Sequence, residues 1–354
     1  MTVPKRASRN PRRGKALPLI LVVMWIISAV ALISLFLNFA EFWQTSKEQQ
    51  PLTIATTLSA TNPVVKHEHE ARMATSAIHS SSSSNQKKNP NEIFVAGVMF
   101  SAMPKYIDAL RAEYDTWMQE IPNERVFAVG PADVTADENG FPRAVQSPCV
   151  DRSLWCKRVQ QIVEAYKLLK RGINFDWLLS GNEDWYVHLP IMRESMAKYN
   201  PSDPVVYSGI GCNIGLLICE NQPAPRPHDY PVKVLRCEDL EGRPGFCFGG
   251  GVVFSRAAVE KFMQFGEEGL FNITKSLPFD WKRHPQDDQV LAGLMYIFED
   301  QGMRMEVHPW SERDGKDTIK RGLGPVGTVH AVAFEGTSPG EILRKVHQQW
   351  MKKH

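Results

Sequence analysis

With 354 residues, 43% of them apolar, the chain has material for one large folded domain or two ordinary ones. Its formal net charge of +2 hides a split: the first 37 residues hold six basic and no acidic side chains, leaving 35 basic against 39 acidic in the rest. A mildly acidic folded part argues against a nucleic-acid surface, and membrane topology alone accounts for the basic tail.

Residues 1–16 are that tail, carrying Lys5, Arg6, Arg9, Arg12, Arg13 and Lys15. Residues 17–37 follow, 21 positions without a charge, enough for one helix across a bilayer. The run is longer than the apolar core of a cleaved signal peptide and lacks a small-residue cleavage site. It predicts a single-pass signal anchor with the tail in the cytosol and the long C-terminal part in the lumen. Residues 38–91 are polar, with a serine run at 80–84 and no sustained apolar period, so they predict a flexible stem. The folded domain is predicted over residues 92–354.

Within that domain, residues 93–99 read as a buried strand. Residues 104–118 read as a helix, with Tyr106, Leu110, Tyr114 and Trp117 at helical spacing and Pro104 in the first turn. A strand at 125–129, a helix at 154–169 and a strand at 177–179 continue the alternation, which predicts a mostly parallel α/β sheet flanked by helices. Further on come a strand at 205–208, a proline-rich loop at 221–231, an apolar glycine-containing run at 246–254 and a helix at 256–265. Helices at 289–300 and 339–353 complete the chain; the last carries Ile342, Leu343, Val346 and Trp350 on one face.

All six cysteines (149, 156, 212, 219, 237 and 247) lie beyond the apolar span. In an oxidising lumen they predict up to three disulfides, whose pairing the spacing leaves open. The C-x6-C spacings are too wide for paired-knuckle zinc sites. Asn272-Ile273-Thr274 is a glycosylation sequon, in keeping with the same compartment.

The stretch Asp176-Trp-Leu-Leu-Ser-Gly-Asn-Glu-Asp-Trp-Tyr-Val187 carries the chemistry. An apolar strand runs into Asn182, Glu183 and Asp184, at the strand end where open α/β sheets bind ligands. Carboxylates there suit a hard divalent cation, and such a cation can hold a diphosphate. Asp287 and Asp288 open a helix, where the dipole favours an ionised carboxylate. Gly249, Gly250 and Gly251 lack Cβ atoms and let backbone approach a bound ligand closely. Trp185, Trp281 and Trp310 are either platforms for a ligand face or ordinary packing residues.

Five stretches in order resemble the Fringe-like β1,3-glycosyltransferases, which include the core 1 β1,3-galactosyltransferases. Ile93-Phe-Val-Ala with Thr116-Trp117 resembles the family's opening strand and helix end, and Cys149, Cys156 and Lys157 resemble its cysteine pair. Asn182-Glu-Asp-Trp-Tyr-Val187 is similar to Asp-Asp-Asp-x-Tyr-Val, and Gly249-Gly-Gly-Val-Val-Phe-Ser-Arg256 to the glycine element. Asp287-Asp-Gln-Val-Leu-Ala292 resembles the acidic pair before a helix, with Ala292 where the family usually has Gly. The likeness covers most of residues 92–350.

That resemblance implies a GT-A fold, a UDP-sugar donor, a divalent cation (usually Mn²⁺), a glycan or glycoprotein acceptor and transfer in β1,3 linkage with inversion. Galactose and N-acetylglucosamine are the expected sugars, in a type II protein of the Golgi or ER–Golgi membrane. Asp184 takes the place of the family's metal ligand, Glu183 that of a residue that supports the ligand or contacts the ribose, and Asn182 stands where the family has an acid. A histidine completes such sites, and either His330 or His308 fills that place here. Asp288 matches the base position, with Asp287 as its neighbour and fallback. A homodimer through the stem is compatible with this plan. The alternative is an inactive relative serving as a lumenal chaperone or glycan-binding partner, which Asn182 and Ala292 favour.

Overall fold

The computed structural model describes residues 90–132, 143–209, 211–214, 230–246, 251–283, 285–308, 311–312, 327–331 and 337–353. The predicted tail, the anchor and the stem up to residue 89 lie outside the described residues, as do Gly249, Gly250 and Trp310. Among the described residues no helix is long and apolar enough to cross a membrane.

The sheet that organises the domain has seven strands. In chain order they are β1 (Phe94–Met99), β2 (Val126–Gly130), β3 (Ala144–Gln146), β4 (Trp177–Asn182), β6 (Val205–Ser208), β9 (Val252–Ser255) and β10 (Arg304–Val307). Their spatial order is β10-β6-β9-β4-β1-β2-β3. All neighbouring pairs are parallel except those made by β9, which runs antiparallel to both β4 and β6. The fold is therefore mixed α/β with a mostly parallel sheet. The exception is β9, which the sequence could not orient: a four-residue apolar strand carries no direction of its own. Five further strands are minor: β5 (Trp185–Val187), β11 (Ser311–Glu312) and β12 (Thr328–His330) form one small sheet, and β7 (Gly211–Asn213) with β8 (Pro244–Phe246) another.

Alternation along β1 divides the core between two layers. Val95 and Met99 face one side, with α2 (Leu154–Lys170), α5 (Arg256–Phe262), α6 (Gly266–Lys275) and α7 (Asp287–Ile297) packed there. Phe94, Ala96 and Val98 face the other, against α1 (Pro104–Tyr114), α3 (Leu189–Met196) and α8 (Pro339–Lys353). A one-turn helix, α4 (Cys237–Leu240), lies between β7 and β8 in sequence. Each fully buried aliphatic or aromatic side chain in these layers contributes about 1.5–3 kcal/mol. At the C-terminus, Arg344 of α8 bonds Asp108 of α1 at 2.8 Å and His347 pairs with the Tyr186 hydroxyl at 3.0 Å, so the closing helix supports β5 from beneath.

Several boundaries moved from those expected. The helix foreseen to 118 ends at Tyr114, because the Thr116 hydroxyl donates back to the Ala112 carbonyl at 2.6 Å and a 3-10 turn takes over at Trp117–Glu120. The strand foreseen as 177–179 runs on to Asn182, paired along its whole length with β1. Helix α7 starts at Asp287, so both acids lie inside its first turn. Helix α6 had not been foreseen.

Cys149 and Cys156 form a disulfide that closes the loop into α2. Cys237 is also disulfide-bonded, and no cysteine among the described residues is free.

One packing contact sets a testable limit. Trp185 is buried between Gly181 and Gly251, and a Cβ built on Gly181 would lie 1.9 Å from its ring. Gly251 also adopts a left-handed φ of 61°, with its would-be Cβ 2.3 Å from the same indole. Gly181→Ala should therefore destabilise the domain by about 1–3 kcal/mol, seen as a lower thermal midpoint. An unchanged midpoint would mean that the Trp185 ring is not wedged as described.

Candidate active site

Several of the expected site residues gather where β4 ends and α7 begins, around one open cleft. Its walls include Arg158 from α2, Asn182 and Asp184 at the end of β4, Trp185, Gly251, and Asp287 and Asp288 from the first turn of α7. This is the C-terminal edge of the parallel strands, where peptide geometry and loop connections leave room for a ligand.

Asp184 and His330 meet through the small sheet. β12 pairs antiparallel with β5 so that His330 lies opposite Trp185, and the Ala331 amide donates to the Asp184 carbonyl at 2.7 Å. His330 Nε2 consequently lies 3.1 Å from Asp184 Oδ2, although 146 positions separate them in sequence. Asp184 Oδ1 is buried and has no hydrogen-bond partner. An orphaned carboxylate oxygen beside an imidazole is an oxygen and nitrogen donor pair of the kind Mn²⁺ takes. Among the described residues no group of three or more Cys, His, Asp and Glu side chains is arranged to hold a metal ion.

His308, the other expected candidate, goes elsewhere. It follows β10 at the sheet edge, three strand positions from β4, or about 14 Å at ordinary strand spacing. Its ring engages the Tyr199 hydroxyl, with Nε2 at 2.9 Å, and lies 3.4 Å from Glu306. The structure does not bring it to Asp184.

Glu183 is buried beside Asp184, and burial first, then the Asp184 charge, pushes its carboxyl up to about 8. Glu113, which sequence reading passed over, lies in the same neighbourhood. It is fully buried on α1, its Oε1 accepts the Trp185 amide at 2.8 Å, and its Oε2 has no partner. Burial raises it well above the usual carboxylate range; the Trp185 amide opposes this, and the charges of Asp184 and Glu183 reinforce it. Trp117 completes the clamp by donating its indole N–H to the Trp185 carbonyl at 3.1 Å. α1 thus holds the backbone on which Asp184 sits.

A carboxyl raised in the folded state binds its proton more tightly folded than unfolded. Stability contributed by Glu113 therefore falls as pH rises above its unfolded value of about 4.3. Glu113→Gln titrates in neither state. Thermal midpoints without added metal should show the variant gaining on the parent between pH 4 and pH 8, and a constant difference would refute the raised carboxyl.

Asn182, Asp287 and Asp288 belong to the opposite part of the cleft. Arg158 is buried on α2, and each N–H of its guanidinium has an acceptor. Nε and Nη2 donate to Asp287 Oδ2 at 3.0 and 2.6 Å, Nη2 also to Asn182 Oδ1 at 2.9 Å. Nη1 donates to Gln161 Oε1 at 2.9 Å and to Ser180 Oγ at 2.6 Å. Gln161 in turn donates to the Gly97 and Gly181 carbonyls, tying α2 to β1 and β4. Asp288, one residue on, has no such ion pair and accepts the Gln289 amide at 2.7 Å. Burial first, then the Asp287 charge, raises its carboxyl to about 7.

Arg158 had no motif to announce it. The signal present in the sequence was a helix whose first turns carry Lys157, Arg158, Gln160 and Gln161 between apolar positions, all four buried. Trp185 is wedged between glycines, and Trp281 packs edge-on to Trp155 at 4.9 Å.

No family model matches the chain, and no curated protein matches it in sequence. Solved structures with a similar course include a glycosyltransferase involved in glycosylation of the major capsid of PBCV-1, at 14% identity and a TM-score of 0.37, covering 73% of this chain and 99% of that one. Another is the galactosyltransferase LgtC in complex with donor and acceptor sugar analogues, at 12% identity and a TM-score of 0.33, covering 73% and 95%. Mouse xyloside xylosyltransferase 1 is similar at 12% identity and a TM-score of 0.32, covering 67% and 97%. Likeness this loose leaves the chemistry to the cleft residues.

Proposed function

We propose that the chain is a glycosyltransferase that moves a sugar, galactose or N-acetylglucosamine, from a UDP-sugar to a hydroxyl of a glycan or glycoprotein. The observation that carries this reading is the cleft itself, lined at once by Asp184, paired with His330, and by Asp288, whose carboxyl is poised near neutral pH. In the proposed reaction the acceptor oxygen attacks the anomeric carbon while the bond from that carbon to the diphosphate breaks. The acceptor proton passes to Asp288, and the electron pair of the broken bond leaves with the diphosphate. A single displacement of this kind inverts the anomeric centre, in keeping with the β1,3 linkage that the resemblance implies.

Asp184 and His330 are the residues that would hold Mn²⁺, which when bound stabilises the charge on the departing diphosphate. Gly251 lines the cleft, Glu183 is buried beside Asp184, and the clamp from Glu113 and Trp117 holds the adjoining Trp185 backbone. Residues 17–37 anchor the protein as a type II Golgi membrane protein in this proposal, with the catalytic domain lumenal.

A second reading, an inactive lumenal chaperone or glycan-binding partner, is favoured by Asn182. Its amide oxygen already accepts from Arg158, and the position brings no charge to a cation. Donor turnover separates the two. The purified full chain in detergent should hydrolyse at least one of UDP-galactose, UDP-N-acetylglucosamine and UDP-glucose, and only with Mn²⁺ present. No turnover, together with no Mn²⁺-dependent UDP binding, would favour the inactive relative.

A further inference from the structure

We propose that Arg158 is a positioning residue that divides the labour between the two adjacent acids, holding Asp287 against the cleft wall and leaving Asp288 alone to accept the proton. This deepens the glycosyltransferase reading and rests on it.

The geometry is one-sided. Two guanidinium N–H groups converge on Asp287 Oδ2, while the remaining donors reach Asn182, Ser180 and Gln161. All five Arg158 donors are therefore committed to protein acceptors, which leaves none for a donor phosphate. Asp287 cannot turn toward an acceptor without giving up a buried charge-assisted pair, and breaking such a pair is strongly unfavourable. Asp288 carries no comparable tether and lines the same cleft.

The same fork gives a physical reason for Asn182. Its neutral oxygen accepts Nη2 without adding a second negative charge to the guanidinium. Arg158 can therefore balance Asp287 one to one, rather than dividing its charge between two acids. A planar fork is needed for this, since one ammonium cannot reach acceptors on β4, α2 and α7 together. The charged groups facing Asp288 are Asp287 from its own helix and Arg158 from α2. The other described cleft positions near α7 are apolar, Phe246 from β8, Val252 from β9 and Leu291.

The test is the pH dependence of Mn²⁺-supported UDP-sugar hydrolysis by the full chain in detergent, comparing the parent with Arg158→Gln, Arg158→Lys and Asp287→Asn. Arg158→Gln should lower kcat about 100-fold and move the acid limb upward by about one pH unit, because a nearby cation is lost. Arg158→Lys should keep the limb near its parental place while losing about tenfold in kcat. Asp287→Asn should move the limb downward, since it removes a like charge and frees the guanidinium for Asp288.

A fall in kcat with an unmoved limb in Arg158→Gln would reduce Arg158 to a structural residue. A raised KM for donor with an unmoved limb would make it a donor contact instead. If Arg158→Gln does not fold, an Asp287→Asn limb that stays in place overturns the proposal by itself. A parent that turns over no UDP-sugar defeats the underlying reading, and this proposal with it.

Discussion

Asp288→Asn is expected to cut donor turnover by about 1,000-fold or more while raising the stability of the folded domain above neutral pH. The first half follows from the base role, since a positioned general base contributes about 100- to 10,000-fold. The carboxyl sits at about 7, so only its ionised fraction accepts a proton, and the parental rate should fall roughly tenfold for each pH unit below that value. The second half follows from linkage. Burial raises Asp288 above its unfolded value of about 3.9, so the folded state holds a proton that the unfolded state has released. Stability is therefore lost as pH rises from about 4 to about 7, and an amide avoids that loss. The gain at pH 8 should be on the order of 1–3 kcal/mol, vanishing near pH 4. Lost activity with gained stability is a combination that general misfolding does not give. A stable variant that kept full turnover would remove Asp288 from the chemistry, and a variant losing stability at pH 8 would refute the raised carboxyl.

Asp184→Ala should abolish Mn²⁺-dependent UDP binding, weakening it by at least about 100-fold in calorimetry. Asp184 offers a buried oxygen with no protein partner and a second oxygen 3.1 Å from His330. His330→Ala should behave likewise. His308→Ala should leave binding intact, because its ring is spent on Tyr199 and Glu306 at the sheet edge. Binding that depends on His308 and ignores His330 would reverse the assignment of the pair. The parent's thermal midpoint should rise when UDP and Mn²⁺ are added together, and that rise should disappear in Asp184→Ala, because only a ligand bound by the native state stabilises it.

The elements were legible where local physics decides them. Apolar runs at β1 and β4 and the helical spacing in α8 are set by burial of contiguous or periodic side chains, and these elements appear where expected, β4 extending three residues further. The position of Asn182 and Asp184 at a strand end could be read for the same reason. So could the placement of Asp287 and Asp288 at the start of a helix.

What the sequence could not supply were the meetings between distant segments. Which of the two histidines lies beside Asp184 depends on the register of β12 on β5, a long-range pairing that no local pattern encodes. The orientation of β9, and with it the entry of Gly251 against Trp185, was likewise a tertiary outcome. Arg158 and Glu113 look like ordinary charged positions on amphipathic helices. Only the fold shows them buried, one saturated by five hydrogen bonds to four acceptors and the other holding the Trp185 amide. By itself the sequence determined strands, helices, the acidic strand end and the acidic helix start, because hydrophobic periodicity and chain chemistry act over a few residues. The tertiary structure alone decided which acid is tethered and which is left to the cleft, because a carboxylate's freedom depends on the partner that folding brings beside it.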